Sequence, residues 1–429
     1  MVLPRTRQFW SVSISHLVID IFNGSVPVLL TFISGHLIGL SNTQIGFAIS
    51  IYQLTSALSQ PFAGWLADRS GGRLLGAGGV GWTVGMQALA LLLVVTTRSY
   101  VLMVIPLTLA ALGSGIFHPI GTMHASTRTT SRSGDLSLFF MMGQLGGGLG
   151  PAITGFLLDR ASSNNAIFMQ AFGMPFQERL AETGSITPIL LMGIVAIPSV
   201  LFMAFSLPDR KAHRHSSPTS GGGTGRAALR VQPLVMLGGM VILRGMLNPG
   251  IVAFLPRLFQ SRGWNPSEYG LVTSSFWISG AFAGLIAGQL ADRYGDRVVI
   301  GLTLLISAPA VFLLSSATDS SAYLLAIIAG AFSSASHPLI VAMTQRLLPG
   351  GRGLSSGIGL GAIFATGALG TFVIGALSDS LGLETAIQIV ALITVATGLL
   401  ALRLPADPTP AKPIAAPSER SSDAVAKTV

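Results

Sequence analysis

The sequence predicts an all-α membrane protein, twelve transmembrane helices in two pseudo-symmetric six-helix bundles. Three observations carry that expectation. Half of the 429 residues are hydrophobic and only 10% are charged, whereas a soluble domain needs roughly 25% charged residues to cover its surface. Twelve mostly apolar stretches approach the length of about 20 residues that crosses a hydrocarbon core. Short motifs also recur at a nearly constant offset, as a duplicated unit would produce.

Taken in order, the stretches begin near Phe9, Ile45, Leu74, Tyr100, Leu136 and Ile186, then near Leu234, Tyr269, Val298, Tyr323, Leu354 and Thr385. Each is bounded by a charge, a Gly/Pro pair or a Ser/Asn/Asp cap. Residues 1–207 therefore read as an N-terminal six-helix bundle and residues 231–404 as a C-terminal one. Between them, residues 208–230 form a polar linker with a Gly221-Gly222-Gly223 run. Residues 405–429, rich in Pro, Ala and Ser, read as a disordered tail. The segment from Asp159 to Ser185 reads as a loop whose Phe168, Phe172 and Phe176 suit a membrane surface or an ordered turn.

The chain has no cysteine, which excludes disulfides and thiolate metal sites. Its first apolar run ends at Gly35-His36 without a small-residue cleavage site, so it reads as a span and not a signal peptide. If the N-terminus is cytoplasmic, 19 of the 25 basic residues fall on that side, and only Arg98, Arg160, Arg179, Arg257 and Arg262 fall on the other. That bias predicts a multi-pass protein of the cell inner (plasma) membrane with both termini in the cytoplasm. The net charge of +9 then reports topology and contact with anionic lipid, not a nucleic-acid partner.

The repeat is explicit. Gly64-Trp65-Leu66-Ala67-Asp68-Arg69-Ser70-Gly71-Gly72-Arg73 returns as Gly288-Gln289-Leu290-Ala291-Asp292-Arg293-Tyr294-Gly295-Asp296-Arg297 at an offset of 224. Phe117-His118-Pro119 returns as Ser336-His337-Pro338 at 219, and Asp159 as Asp379 at 220. In the first motif Gly suits close packing and a turn with positive φ. The Asp can meet the positive N-terminal end of a helix from the other half, and the Arg residues hold the inner face.

This decapeptide resembles the loop that joins spans two and three in the major facilitator superfamily. The resemblance implies that Gly64, Asp68, Arg69 and Arg73, with Gly288, Asp292, Arg293 and Arg297, act as conformational latches and do not bind substrate. A narrower resemblance covers nearly the whole chain. Ser15-His16 with Asp20, Phe117-His118-Pro119 and Gly143-x-x-Gly146-x-x-Leu149-Gly150-Pro151 are similar to the fosmidomycin-resistance branch of that superfamily. Leu243-Arg244-Gly245 leading to Phe254-Leu255-Pro256, and Leu383-Glu384-Thr385, extend the similarity. In that branch an acid commonly follows the His-Pro pair; here Ile120 stands in its place, so proton carriage falls to another group or the mechanism differs.

Ionisable residues inside spans are costly and mark function by default. Span one carries Ser13, His16, Asp20, Asn23 and Pro27 at spacings of 3, 4, 3 and 4, which is one stripe of a helix. Span seven carries Arg244 and Asn248, and at the offset of 224 Asp20 aligns with Arg244. A relationship across the cavity follows, made directly or through substrate and water. Asp20 is the expected proton carrier, with His16 and His118 as its modulators. Arg244, Asn248, Asn23, His337 and Gln144 form the expected substrate side, with Gln53 and Gln345 as weaker candidates. A static Asp20–Arg244 pair holding the halves together is the competing reading, and each His-Pro is equally a kink cap. His124 is expected to be structural. Gly143, Gly146, Gly147, Gly150, Gly357, Gly361 and Gly367 are expected to let spans approach and slide.

No phosphate-binding loop, metal-ligand spacing or catalytic constellation is present in the sequence, so neither enzyme, ATP drive, metal nor cofactor is expected. A proton gradient is the expected driving force. The function implied is proton-coupled efflux of a small polar or anionic compound, such as a fosmidomycin-like phosphonate, by alternating access in a monomer. Uptake of an organic anion on the same scaffold and a non-transporting membrane sensor are the alternatives.

Overall fold

The computed structural model describes residues 6–125, 132–162, 187–208, 231–337, 339–340 and 352–404. Among them are twelve helices of 14 residues or more. The first six are α1 (Arg7–His36), α2 (Asn42–Ser70), α3 (Arg73–Thr97), α4 (Tyr100–Ala125), α5 (Arg132–Ser162) and α6 (Thr187–Ser206). The second six are α7 (Val231–Gln260), α8 (Pro266–Tyr294), α9 (Asp296–Ser316), α10 (Ser321–Ser334), α11 (Arg352–Leu381) and α12 (Leu383–Leu402). Every one starts within four residues of its predicted position. The tail and most of the linker and of the 159–185 loop, with Phe168, Phe172 and Phe176, lie outside the described residues.

Local signals explain the starts. Ser41 and Asn265 each close a capping box, with Gln44 and Glu268 answering from the third helical position, so two otherwise orphaned donors are satisfied at each end. The turn in the decapeptide is made by Gly71 and Gly72, at φ of 79° and 72°, and in its second copy by Gly295 at 87°. Gly64 and Gly288 sit inside helices instead, and a Cβ on Gly288 would meet open space. The expected close packing is therefore absent at Gly288. Span ten differs from expectation too: α10 stops at Ser334, ahead of the His337-Pro338 pair, whereas α4 runs unbroken through Pro119. The break falls at Ala335 and Ser336, and the chain is helical again at His337, Leu339 and Ile340, with the Ile340 N–H donating to the Ser336 carbonyl at 3.1 Å.

Eight helices are, over the described residues, long and apolar enough to cross a membrane alone. The other four differ for identifiable reasons. Helices α2 and α5 carry Gln, Ser, Thr, Asp and Gly on faces used for packing between bundles. The apolar stretches Gly193–Ser206 of α6 and Ser321–Ser334 of α10 are shorter.

Packing obeys a two-fold relation. In the first bundle α1 packs on α5, α2 on α4 and α3 on α6; in the second α7 packs on α11, α8 on α10 and α9 on α12. The bundles meet chiefly through α2 against α11 and its counterpart α8 against α5. Large side chains such as Leu58, Phe62, Leu74 and Phe205 remain exposed on the outside, as a lipid-facing perimeter requires.

Within the first bundle α1 and α5 touch backbone to backbone. A Cβ on Gly146 would lie 2.2 Å from the Leu17 carbonyl oxygen, far inside van der Waals contact. The Gly146→Ala variant is expected to push these helices apart, at about 1–3 kcal/mol for an overpacked core. A lowered unfolding temperature in detergent and reduced membrane abundance measure it. Gly78→Ala, whose Cβ meets nothing within 4 Å, is expected to change neither.

Candidate functional site

The polar stripe of α1 lies at the centre of the first bundle, and Asp20 is its focus. The carboxylate is 18% exposed and lies 3.2 Å from His16 Nε2 and 3.5 Å from His118 Nε2. It also accepts a 2.8 Å hydrogen bond from Asn23 Nδ2. His16 reaches it from one turn earlier on α1, and His118 reaches it from α4.

The other nitrogen of each ring is already committed. His16 Nδ1 lies 2.8 Å from the Phe139 carbonyl oxygen, and His118 Nδ1 lies 2.7 Å from that of Ser114. A carbonyl can only accept, so both Nδ1 atoms carry their protons. A neutral ring would then turn an Nε2 lone pair toward a carboxylate, an unfavourable meeting. The contacts become favourable when a proton lies between Nε2 and Asp20, whichever group holds it. Three side chains are thus arranged around exchangeable protons.

The surroundings fix this arrangement. The His16 ring stacks on Phe139 at 4.1 Å and 25°. A Cβ at position 143 would lie 2.3 Å from His16 Nε2 and 2.8 Å from Asp20 Oδ2, so Gly143 leaves the space the pair occupies. Asn23 continues the network: its Nδ2 also donates to Ser114 Oγ at 3.1 Å, and its Oδ1 accepts from Tyr52 at 2.5 Å. Gln87 donates to the Tyr52 hydroxyl at 3.4 Å. Tyr52, Gln87, Phe139 and Gly143 bring four contacts that reading α1 alone does not supply.

Across the interface, Arg244 is 4% exposed. Its Nε donates to Ser336 Oγ at 2.7 Å and an Nη to the Ser333 carbonyl at 3.4 Å. Among the described residues no carboxylate lies within ion-pair distance of it. The direct form of the Asp20–Arg244 relationship is therefore not made in this conformation: the acid faces imidazoles and the guanidinium faces serines. His337 is close enough to Arg244, His16, His118 and Asp20 to interact electrostatically with all of them, and its ring meets Phe140 edge-on at 6.2 Å. Phe364 of α11 approaches His118 at 5.7 Å. Gln144 and Gln53 each bury a side-chain carbonyl oxygen that has no hydrogen-bond partner among the described residues. The side chain of Asn248 and all of Gln345 lie outside the described residues.

His16, Asp20 and His118 place one ligand atom each within 4.8 Å of one another, a spacing that could hold a metal ion. The sequence spacing did not suggest such a cluster. A shared proton satisfies the same three atoms, and among the described residues three protein ligands converge. His124 serves elsewhere: Nε2 lies 2.7 Å from the Gly71 carbonyl and Nδ1 2.7 Å from Gln8 Nε2, fastening α4 to the α2–α3 turn and α1.

The motif residues are placed unequally. Asp68 accepts the Leu354 N–H at 3.1 Å, at the start of α11 in the other bundle. Asp292 is exposed. Arg73 donates to the Ala204 carbonyl at 2.5 Å and Arg297 to that of Leu404 at 3.2 Å, equivalent ties to the last helix of each bundle. Arg69 lies 3.8 Å over Trp65 and Arg293 5.3 Å from the Tyr294 ring.

A polar, partly charged centre between two six-helix bundles can be compared with known proteins. The family model described as "Major Facilitator Superfamily" matches residues 9–262 and again residues 234–427. The chain belongs to the Major Facilitator Superfamily. Among curated members it is 26% identical over 397 residues to "Uncharacterized MFS-type transporter YfnC" of Bacillus subtilis (strain 168), covering 92% of each chain. It is 25% identical over 410 residues to "Fosmidomycin resistance protein" of Escherichia coli (strain K12), again covering 92% of each. The fold resembles the inward-facing, unoccupied crystal structure of a bacterial homologue of the human lysosomal transporter Spinster. The TM-score is 0.69 at 15% identity, over 93% of this chain and 97% of that one. The chain is accordingly a multi-pass transporter of this superfamily and not an enzyme, and the fold works without a cofactor.

Proposed function

We propose that the chain exports a small polar or anionic compound, such as a fosmidomycin-like phosphonate, in exchange for protons. The observation that carries this reading is the division of the polar centre. In the first bundle Asp20 faces two imidazoles whose Nε2 atoms have no other partner among the described residues. In the second, Arg244 is buried without a counter-ion among the described residues. The first arrangement suits protons, and the second suits an anion. A guanidinium offers paired donors that match phosphonate or carboxylate oxygens, and His337 adds a further donor nearby.

In this reading alternating access is a rocking of residues 1–207 against residues 231–404. Protons entering from outside load the Asp20 cluster. Substrate from inside binds at Arg244, His337 and Gln144, with Asn23 bridging toward Asp20. The orientation follows the basic residues, with both termini in the cytoplasm of a cell whose inner membrane holds the protein as a monomer. Support for the substrate comes from the similarity to the fosmidomycin resistance protein and from a buried cation with no carboxylate beside it among the described residues.

The test is drug susceptibility. A fosmidomycin-sensitive bacterium expressing the chain is expected to survive roughly tenfold or more drug than the vector control, and to accumulate less of it. Resistance below twofold at verified membrane abundance would remove fosmidomycin as a substrate. Raised accumulation would reverse the direction to uptake.

A further inference from the structure

Helices α2 and α11 are tied together at both ends, by two carboxylates with exchanged roles. At the end that carries the basic motif, Asp68 in the last turn of α2 accepts the Leu354 N–H in the first turn of α11. At the far end, Asp379 in the last turn of α11 accepts from the first turn of α2. It takes the Asn42 N–H at 2.9 Å, the Thr43 N–H at 2.8 Å and the Thr43 hydroxyl at 2.5 Å. Each acid thus binds N–H groups that a helix cannot satisfy internally, where the helix dipole is positive.

Neighbouring contacts gather at the same far end. Arg257 of α7 donates from Nε to Asn42 Oδ1 at 3.3 Å and lies close enough to Asp379 to interact with it electrostatically. Gln260 donates to the Thr31 carbonyl of α1 at 3.0 Å. Above these contacts lies an open depression of about 570 Å³ lined by residues that include His36, Asn42, Arg257 and Gln260. The repeat gives Asp379 a counterpart in Asp159, which is within electrostatic range of Tyr269 near the start of α8. The two interfaces between bundles therefore each carry an acid at this end.

We propose that Asp379 is a second latch, which closes the far end as the counterpart of Asp68 at the motif end. The motif supplies no residue to it, and its sequence context differs from that of Asp68. Both acids hold the same two helices, so pivoting about the polar centre has to break one contact while the other survives. Losing Asp379 biases the chain toward opening at the far end; losing Asp68 biases it the opposite way. Both acids are solvent-exposed, so salt screening moderates each contact.

The name given to the far side rests on the orientation proposed above, and the experiment separates the two claims. Because the full chain has no cysteine, a single Ser50→Cys substitution provides a clean probe. Ser50 lies on α2, 8% exposed, donating to the Ala368 carbonyl of α11 at 2.7 Å, two turns below Thr43. Its labelling by a membrane-impermeant maleimide is compared in intact cells and inverted vesicles at matched abundance. With Asp379→Ala added, labelling is expected to rise roughly three- to tenfold from one side only, as a helix-end carboxylate contact allows. Asp68→Ala is expected to give no rise from that side.

A one-sided rise in intact cells supports both the latch and the orientation. A one-sided rise confined to inverted vesicles supports the latch and overturns the orientation. Unchanged labelling, or an equal rise from both sides, overturns the latch. Should Asp379→Ala fail to reach the membrane, Thr43→Val removes only the hydroxyl bond. It is expected to give a smaller rise from the same side, and no rise there overturns the proposal.

Discussion

Replacing Asp20 by Asn is expected to reduce proton-driven transport to the level of empty membranes while substrate-for-substrate exchange persists. The substitution keeps the shape of the side chain and one acceptor oxygen, so the 2.8 Å bond from Asn23 can survive. It removes the only carboxylate that His16 and His118 face among the described residues. Two imidazoles then have no anion to share protons with, and a buried cation without a partner is strongly disfavoured. Counterflow and gradient-driven flux, measured on the same vesicle preparation, separate the two steps. Equal loss of both at unchanged abundance would mark Asp20 as a structural residue. Retention of both would move proton carriage to His16 and His118.

Arg244→Gln is expected to weaken binding of an anionic substrate by roughly ten- to a hundredfold, the worth of a charge-assisted hydrogen bond of about 1.5–3 kcal/mol. Its effect on folding should be small, because no buried carboxylate is left behind: the present partners are a serine hydroxyl and a serine carbonyl. Arg244→Lys keeps the charge but not the planar fork, and is expected to recover only part of the affinity. Direct binding titration on purified protein reads the constant, and the unfolding temperature reads the fold. A large fall in unfolding temperature with unchanged affinity would recast Arg244 as a packing element.

These expectations draw on both sequence and structure, and the division follows from physical range. Helix starts were legible because caps, charges and Gly/Pro signals act within a few residues: Ser41 with Gln44 and Asn265 with Glu268 are complete in the sequence. The grouping of His16, Asp20 and Asn23 was legible from a helical spacing. His118 stands out in the sequence because Ser114 and Thr122 extend its polar face, but its distance to Asp20 depends on how α4 packs against α1, with the ring oriented by the Ser114 carbonyl one turn back. Tyr52 and Gln87 join from two further helices, and nothing local to them signals it.

The repeat signals duplication, yet alignment of two positions does not bring them into contact. Asp20 and Arg244 align at the offset of 224 without touching, because a two-fold relation places them opposite each other and leaves their distance to the packing of the halves. Asp68 reaches the start of α11, and Asp292, in a similar decapeptide, is exposed as Asp68 is. The partner of such a motif is a helix end in the other bundle, which no local pattern encodes.

Substrate-evoked proton movement in proteoliposomes of the purified chain decides whether drug and protons are exchanged. Fosmidomycin is added to one side while a pH dye is followed inside, with no other gradient imposed. Exchange predicts that drug entering down its gradient drives protons out, so the interior becomes alkaline, at a rate that saturates with drug and vanishes in the Asp20→Asn variant. A saturable drug flux with no pH change, or the same pH change in that variant, would contradict it.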